Sequence, residues 1–452
     1  MDAGTTNGED MGRPVPIGAA PHPESAIGFT PVAALPTLDA APLAIVINLV
    51  RSGQATTRPE LVALTGLSRK VVTQRVDQAL SLGLLEDGAL APSSGGRQAR
   101  TLRFRTRAGH IYSALVGASE FTAAVLDLSG AVIASHHEDW SVETGPEPTM
   151  RQVQAAFTAL ARKTGLDRPW AVGIGVPGPV EFATGRLVAP PIMPGWDGFN
   201  VRSWLREHYD APVWVDNDVN LMALGEWTSG TPRDGRDMLF VKVGTGIGAG
   251  LVVRGRLLRG DRGAAGDIGH THVVDDPSAV CRCGRTGCLE AVAGGWSMLE
   301  ESARRVSESP YLTKVLEKSG RLTLGEVGKA AVAGDRLALE MIDKRSRRVA
   351  ETIANLVNFC NPGVVVLGGG VLRTGPRFVD IVSSTVHARC TQLVTAGLTV
   401  RAASLDHAEG VVGAGLLANA GLFATAPLSH WVESGSPLGH ATTLQRLSAE
   451  LT

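Results

Sequence analysis

Hydrophobic and polar positions divide the chain into a polar arm, two folded regions and a polar tail. Residues 1–40 include six prolines and few large apolar side chains, so they cannot bury enough surface to become ordered, and we expect a flexible arm. Residues 41–107 and 109–425 carry regular apolar periodicities that predict folded structure. The tail, 426–452, has little apolar content, so we expect it to be poorly ordered.

The first folded stretch predicts a helix-turn-helix. Apolar residues recur at helical spacing, and Gly66 interrupts the pattern between the second and third helices. Pro42 suits the first turn of helix one, and Thr57 is expected to cap helix two. Ser68 is expected to cap a third helix, which runs from Arg69 to about Leu82.

Three features of this stretch favour DNA binding. The outward positions of the third helix suit a major groove, and two short strands with a glycine-rich tip predict a wing that can reach a minor groove or phosphates. Residues 41–107 hold ten Arg or Lys and four Asp or Glu, so they carry a net charge of +6, against −7 for the remainder. A three-helix domain that binds protein is the alternative. The predicted DNA-binding residues are Ser68, Arg69, Lys70, Thr73, Gln74, Arg75, Gly95, Gly96, Arg97 and Arg100.

The second folded region, from Gly109, predicts an α/β domain. Buried-strand patterns repeatedly run into glycine-rich or polar loops, as in AVGIGVPGPV and NPGVVVLGGGV. The stretch VWVDNDVNLMALGEW predicts a strand that delivers Asp216, Asn217 and Asp218 to the start of a helix. Polar groups at the carboxyl end of a strand are placed to bind ligands.

Composition indicates an ordinary globular protein, with 44% hydrophobic and 19% charged residues. The N-terminal residues MDAGTTNGED lack the apolar stretch of a signal peptide, and the run from Ala41 to Val50 is too short to span a bilayer. Cys360 and Cys390 lie in apolar surroundings, which suits a reducing cytosol better than a disulfide framework. We therefore expect a cytoplasmic protein that does not interact with membranes.

Three of the five cysteines fall within eight residues, in the stretch 263–290. Cys281, Cys283 and Cys288 supply three thiolates and His270 a fourth ligand, which predicts a structural Cys3His zinc site. His272 is the alternative fourth ligand. A disulfide, a redox motif or three scattered apolar cysteines are the other interpretations, although cysteines at positions i and i+2 pair poorly.

With these motifs identified, residues 41 to about 422 resemble the ROK family of repressors and sugar kinases. The resemblance rests on GAAGDIGHTHV followed by CRCGRTGCLE, which is similar to the zinc signature of the family, and on the N-terminal domain, which matches its repressor branch. It implies a winged helix-turn-helix followed by a two-lobed, actin-like ATPase (ribonuclease H-like) fold, assembled as a homodimer or homotetramer. The implied small lobe covers about 109–225 with a helix at about 409–424, and the large lobe about 226–408.

The resemblance also implies a sugar pocket. Asn217 and Asp218 match the residues that bind sugar hydroxyls in the family, and Asp218 matches the catalytic base of its kinases. A carboxylate there can accept a proton during phosphoryl transfer or can simply accept hydrogen bonds. The implied sugar-binding residues are Gly178, Asn217, Asp218, Asp267, His270 and Glu290, with Gly195 and Trp196 as further lining positions.

Departures from the kinase pattern point away from catalysis. Kinases of the family carry an acidic residue and Gly-Gly-Thr in the first hairpin, where this chain has Val116, Gly117, Ala118 and Ser119. The glycine turns 244–248 and 368–370 match the kinase pattern, but such turns also persist for fold reasons. Asp267 stands where the family usually has glutamate, so the ligand can differ from glucose.

These observations predict a sugar-responsive, DNA-binding transcriptional repressor without catalytic activity. Its expected partners are double-stranded operator DNA and a carbohydrate or sugar-phosphate effector, and its expected cofactor is structural zinc. An ATP-dependent hexose kinase with an added DNA-binding domain is one alternative. A DNA-binding dimer that ignores ligands is another.

Overall fold

A computed structural model describes residues 41–90, 100–231, 234–405 and 407–449. The predicted arm, 1–40, and the wing-tip residues Gly95, Gly96 and Arg97 lie outside the described residues. The described part of the chain contains an N-terminal helical domain, two lobes that are each built on a five-stranded sheet, and C-terminal helices.

The N-terminal domain has the order of elements that the sequence predicts. Thr57 forms a capping box with Glu60, and the Ser68 hydroxyl accepts a hydrogen bond from the Val71 N–H at 3.3 Å. Gly66 ends the second helix with a φ of +68°, a conformation that suits glycine. The elements are α1 (Pro42–Arg51), α2 (Arg58–Thr65), α3 (Arg69–Ser81), β1 (Leu85–Leu90) and β2 (Arg100–Phe104).

The small lobe contains a mixed sheet in which three antiparallel strands are followed by two parallel ones, in the order β5-β4-β3-β6-β9. Aromatic and branched side chains from its strands pack against the helices that follow β5 and β8. Its elements are β3 (His110–Val116), β4 (Glu120–Asp127), β5 (Val132–Asp139), α4 (Pro146–Thr164), β6 (Ala171–Val176), β7 (Val180–Glu181), β8 (Arg186–Leu187), α5 (Val201–His208) and β9 (Val213–Asn217).

The large lobe repeats the pattern of the small lobe, with a sheet in the order β12-β11-β10-β13-β14. A 25-residue helix, α11, supplies much of its apolar core. Its elements are α6 (Asp218–Ser229), β10 (Met238–Val243), β11 (Ile247–Val253), β12 (Arg256–Leu258), α7 (Leu289–Ala293), α8 (Gly295–Arg304), α9 (Pro310–Ser319), α10 (Leu324–Val332), α11 (Arg336–Cys360), β13 (Val364–Gly368), α12 (Arg377–Arg389), α13 (Gln392–Thr395) and β14 (Thr399–Ala402). The repeated topology is that of the predicted actin-like fold.

A small-residue helix, α14 (Glu409–Leu422), joins the two lobes. Its backbone packs directly on α6, where a Cβ on Gly225 would lie 1.9 Å from the Glu409 carbonyl oxygen. On its other side it meets the small-lobe sheet, where a Cβ on Gly173 would lie 2.0 Å from the Ala414 carbonyl oxygen. Side chains larger than hydrogen therefore cannot enter these contacts.

The tail differs from the expectation. Instead of a poorly ordered segment, the structure describes α15 (Thr425–Trp431) and α16 (Ala441–Ala449), with residues 450–452 outside the described part. A large apolar side chain anchors it: Trp431 is buried against Trp170 and Phe423, with ring centroids 5.5 and 5.4 Å away. Low average hydrophobicity concealed this anchoring. The Gln445 side chain also accepts the Val213 N–H at 2.7 Å, on the edge strand β9.

Among the described residues, no single helix is long and apolar enough to cross a membrane. One bent pair, Glu409–Leu422 with Thr425–Ser434, meets the criteria of length and composition when its two helices are taken together.

Candidate metal centre and ligand pocket

Four side chains of the loop between β12 and α7 converge on one point. The ligand atoms of His270, Cys281, Cys283 and Cys288 all lie within 4.8 Å of one another. His270 Nδ1 is 3.6 Å from the Cys281 sulfur, and the Cys283 and Cys288 sulfurs are 3.8 Å apart. Tetrahedral zinc, with Zn–S of about 2.3 Å and Zn–N of about 2.0 Å, separates its ligand atoms by about 3.5–3.8 Å. The four residues therefore fit a structural zinc ion.

The alternative fourth ligand, His272, faces away from this cluster. Its Nε2 lies 2.8 Å from Asp275 Oδ1 and its Nδ1 lies 3.2 Å from the Thr286 carbonyl oxygen. Because both of its ring nitrogens have other partners, His272 is not placed to be the fourth metal ligand. Within the described residues all five cysteines are free thiols, so the structure contains no disulfide that would compete with a metal.

Tight backbone turns bring the sulfurs together. The Gly284 N–H donates to the Cys281 carbonyl oxygen at 2.9 Å, and Gly284 has a φ of +85°. Burial raises the pKa of Cys281 to about 12. Burial also opposes ionisation of Cys283, but hydrogen bonds from the backbone and side chain of Arg285, together with those from Cys281 and Cys288, lower that pKa to about 7. Arg285 thus stabilises a thiolate at Cys283.

The end of β9 and the start of α6 form one wall of the predicted sugar pocket. Asn217 caps α6 by accepting the Val219 N–H at 2.9 Å, and its amide donates to the Gly178 carbonyl oxygen at 3.0 Å. The contact joins two of the predicted sugar-binding residues. Gly178 itself has a φ of +92°, and a Cβ there would lie 2.9 Å from the Pro190 side chain.

Asp218 is almost fully buried and has a cationic partner. Its Oδ2 forms an ion pair with the Lys242 ammonium of β10, and its Oδ1 accepts the Val219 N–H at 2.9 Å. Beside it, Asp216 accepts hydrogen bonds from Arg259 Nε at 2.8 Å and from the Asn220 amide at 2.9 Å. Each carboxylate at this strand end is therefore compensated by a cation.

Glu290 of α7 and His270 of the preceding loop are two further predicted sugar-binding residues. Glu290 is buried and its Oε2 accepts the Ile247 N–H at 3.0 Å, at the start of β11. Because His270 turns Nδ1 toward the cysteines, its Nε2 points elsewhere and lies 3.9 Å from Asp267 Oδ1. The Asp267 side chain is 54% exposed. With Nδ1 directed at the cysteine cluster, His270 can offer its second ring nitrogen to a ligand hydroxyl.

The residues around Asp218 and the side chain of Glu290 both contact the start of β11. Ile247 contacts Glu290 through its N–H, and a Cβ on the next residue, Gly248, would lie 2.9 Å from the side chain of Val219, the residue after Asp218. Glu290 and the residue after Asp218 therefore contact neighbouring positions of β11. Trp196, a predicted lining residue, is instead fully buried, and its indole N–H donates to the Val142 carbonyl oxygen at 3.1 Å. Its role is in the small-lobe core rather than in lining the pocket.

The two glycine turns also lie side by side. The Gly244 N–H donates to the Gly246 carbonyl oxygen at 2.9 Å, and a Cβ on Gly244 would lie 3.8 Å from the Gly370 nitrogen. Opposite them, in the small lobe, the Val116–Glu120 turn closes through a hydrogen bond from the Gly117 N–H to the Glu120 carbonyl oxygen at 2.8 Å. An ion pair of 3.5 Å between Glu120 and Arg373 connects this turn to the large lobe.

The model of the ROK family matches residues 112–420, more than half of the chain. The chain belongs to the ROK family. It is 33% identical over 315 residues to a glucokinase of Halalkalibacterium halodurans, an alignment that covers 67% of this chain and 92% of the relative.

A second relative is a regulator. The ROK chain is 27% identical over 402 residues to the DNA-binding transcriptional dual regulator NagC of Escherichia coli, which covers 86% of this chain and 95% of NagC. Among solved structures, a ROK family transcriptional regulator that is a homologue of the E. coli MLC protein aligns with a TM-score of 0.69 at 21% identity, covering 91% of this chain and 98% of that one. This structural similarity shows the fold of the chain.

The predicted DNA-binding residues of this ROK chain fall into three groups. Ser68, Arg69, Lys70, Thr73 and Gln74 are exposed on α3, and Arg100 is exposed at the start of β2. Arg75 is half-buried instead, and its guanidinium donates to Gln78 at 2.7 Å. The three wing-tip residues lie outside the described part of the chain.

Sequence reasoning missed two cations of the pocket, Lys242 and Arg259. Lys242 carried a usable signal, since a single charge in the buried strand MLFVKV is unusual and requires a partner. Arg259 had none, because its target, Asp216, lies 43 residues earlier in the chain. The Arg259 guanidinium also stacks over the Phe182 ring at 4.0 Å.

Proposed function

We propose that this ROK chain is a sugar-responsive, DNA-binding transcriptional repressor that acts as a homodimer or homotetramer in the cytoplasm. The N-terminal domain is a winged helix-turn-helix that binds operator DNA, and the cleft between the lobes binds a carbohydrate or sugar phosphate. A structural zinc ion, held by the Cys3His cluster, orders the loop that carries His270 and Glu290. The regulator relatives support this proposal, because the alignment with NagC extends well beyond residues 112–420.

The exposed face of α3 carries side chains that can hydrogen-bond to phosphates and base edges of DNA. Arg69 and Lys70 offer cationic donors to phosphates or guanine, and Gln74 offers an amide that suits adenine. All of them lie near the N-terminal end of α3, the end that contacts bases in a helix-turn-helix. A dimer would read two half-sites, so the operator is expected to be pseudo-palindromic.

A continuous packed route from the pocket to the DNA-binding domain carries the proposal. Asp218, at the start of α6, is a pocket residue, and α6 packs backbone to backbone on α14. The residue after α14, Phe423, accepts a hydrogen bond from Asn48 of α1 at 3.0 Å through its carbonyl oxygen. The Phe423 ring also lies 4.7 Å from the Arg51 guanidinium and 5.4 Å from the Phe104 ring.

This route gives a ligand a physical means of changing DNA binding. A sugar that binds Asn217 and Asp218 contacts the first turn of α6, and at Gly225 and Gly413 no side chains lie between α6 and α14 to absorb a shift. Phe423 then transmits the shift to α1 and thus to α3. The ligand must bind the DNA-competent and DNA-incompetent arrangements with different affinities, because equal affinities would change nothing.

The decisive experiment measures operator binding by fluorescence anisotropy, using the region upstream of the gene for this protein. We expect binding that weakens with salt and that a sugar or sugar phosphate releases. Lys70→Ala is expected to weaken binding, by about 1–3 kcal/mol if it contacts a base, or with a salt slope smaller by about one if it contacts phosphate. Arg151→Ala is the matched control, because Arg151 is 73% exposed on the small lobe. Binding that is absent, or indifferent to every sugar tested, would contradict the proposal.

An ATP-dependent hexose kinase with an added DNA-binding domain is the second candidate. The intact glycine turn 244–248 and the 33% identity to a glucokinase favour it. It predicts transfer of labelled phosphate from ATP to glucose, mannose or an N-acetylated hexose, and Asp218→Asn should abolish that transfer. A DNA-binding dimer that ignores ligands is the third candidate, and calorimetry that detects no sugar while zinc remains stoichiometric would favour it.

A further inference from the structure

Lys242 brings a positive charge into the pocket at a place where the strand itself is apolar. It lies on β10 between Val241 and Val243, both of which are buried, and its side chain is only 20% exposed. The ammonium pairs with Asp218 Oδ2, whose side chain is 4% exposed. A cation held so far from water needs a negative partner at all times.

The side chain of Lys242 runs between the two glycine turns. A Cβ on Gly244 would lie 3.4 Å from Lys242 Cε, and a Cβ on Gly369 would lie 3.1 Å from Lys242 Cγ. The two glycines therefore leave room for the lysine side chain to pass close to both turns. A lysine surrounded by glycine-rich backbone is the usual protein environment for a phosphate group.

This arrangement sets a condition for the ligand. A neutral sugar that binds Asp218 must share the carboxylate with Lys242 or displace the ammonium, and displacement leaves a half-buried charge without a partner. A ligand with its own anionic group avoids that cost, because the ammonium can move from the carboxylate to the anion. Arg259 is not available for this exchange, since Asp216 and the Phe182 ring hold it.

We propose that Lys242 determines the specificity of the pocket for a phosphorylated sugar. Its ammonium binds the phosphate between the two glycine turns, while Asn217, Asp218 and Glu290 bind the sugar hydroxyls. The exchange frees Asp218, at the first turn of α6, to bind a hydroxyl of the same ligand. The inference rests on the proposed sugar-binding function and names the class of effector that the same site selects.

The test is calorimetry on the full-length, zinc-loaded protein and on Lys242→Met and Lys242→Arg. Lys242→Met keeps the length of the side chain without its charge, whereas Lys242→Arg keeps the charge. The probes are glucose and N-acetylglucosamine, each with its 6-phosphate, together with inorganic phosphate and a non-hydrolysable ATP analogue with Mg²⁺. Melting temperature and zinc content show that each variant is folded.

We expect the native protein to bind a sugar phosphate at least about tenfold more tightly than the same sugar without phosphate, which is the scale of one charge-assisted contact. Lys242→Met should abolish that preference and the binding of inorganic phosphate, and Lys242→Arg should retain most of both. Sugars that bind equally with and without phosphate would overturn the inference. So would a Lys242→Met variant that loses both kinds of sugar to the same extent, since Lys242 would then only stabilise the pocket.

Two further results distinguish a failure of this inference from a failure of the proposed sugar-responsive function on which it rests. If the ATP analogue binds in a Lys242-dependent manner and no sugar phosphate competes with it, the phosphate site belongs to a nucleotide and the inference is wrong. If no sugar of either kind binds while operator binding is intact, the proposed sugar-responsive function fails, and the effector class fails with it.

Discussion

Gly413 of α14 packs against the carbonyl oxygen of Leu221 in α6, so closely that a Cβ on Gly413 would lie 1.8 Å from that oxygen. The reciprocal glycine, Gly225 of α6, meets the backbone of α14 in the same way. Since α6 begins at the predicted sugar pocket and α14 ends beside the N-terminal domain, this contact is the closest approach on the proposed route that joins the two.

Gly413→Ala should therefore force the two helices apart. We expect it to destabilise the protein by about 1–3 kcal/mol and to weaken the response of DNA binding to the effector. Gly325→Ala is the matched control, because a Cβ on this helical glycine of α10 meets nothing closer than 3.8 Å. The control should be neutral or stabilise by up to about 1 kcal/mol. Chemical denaturation and operator titrations with and without effector measure both effects, and an unaltered response in Gly413→Ala would exclude the route.

Asn48→Ala tests the other end of the route. The variant removes the hydrogen bond to the Phe423 carbonyl oxygen, which should cost about 1 kcal/mol of stability, because that oxygen is left without its donor. Operator affinity without effector should change little, since Asn48 is on α1 rather than α3, while the effector response should decrease. Gln152→Ala, which removes an amide contact to Glu138 in the small lobe, should leave the response intact. Equal responses in the two variants would show that Asn48 does not couple the domains.

Cys283→Ser tests the metal centre. We expect about one zinc ion per native chain and loss of that ion in the variant, together with a lower melting temperature and a weaker sugar response, because the loop also carries His270 and Glu290. Cys390→Ser is the control, since this half-buried thiol contacts the Ala354 carbonyl oxygen, far along the chain from the cluster. Atomic absorption and thermal unfolding provide the readouts. Stoichiometric zinc in Cys283→Ser would refute the ligand assignment.

The burial of His110 predicts that the protein loses stability in mild acid. Burial at the start of β3 lowers its pKa to about 4, against an opposing effect of Asp167, whereas in the unfolded chain the pKa is near 6.5. As pH falls below 6.5 the unfolded state binds the proton and the folded state does not, so the free energy of unfolding falls until about pH 4. The contribution is about 3 kcal/mol at most. His110→Phe should flatten this part of the pH profile in urea unfolding, and an unchanged profile would contradict the burial effect.

Local signals in the sequence determined much of this molecule. Thr57, Gly66 and Ser68 fix the helix boundaries of the N-terminal domain, because capping and left-handed turns depend on neighbouring residues alone. The spacing of Cys281, Cys283 and Cys288 determined the metal cluster for the same reason. The aspartates and asparagine of VDNDVN were correctly expected at the junction of a strand and a helix.

Tertiary structure alone decided which distant groups became partners. Composition made the tail look disordered, but Trp431 found a buried site between Trp170 and Phe423 that no local pattern reveals. Sequence placed Asp218 in a pocket, and only the folded chain placed Lys242 of the next strand on its carboxylate. Periodicity and caps act through neighbours in the chain, whereas ion pairs and helix contacts depend on how lobes pack. For that reason the sequence predicted the elements and the candidate metal ligands, and the structure revealed the charges around Asp218 and the contacts between α14 and the N-terminal domain.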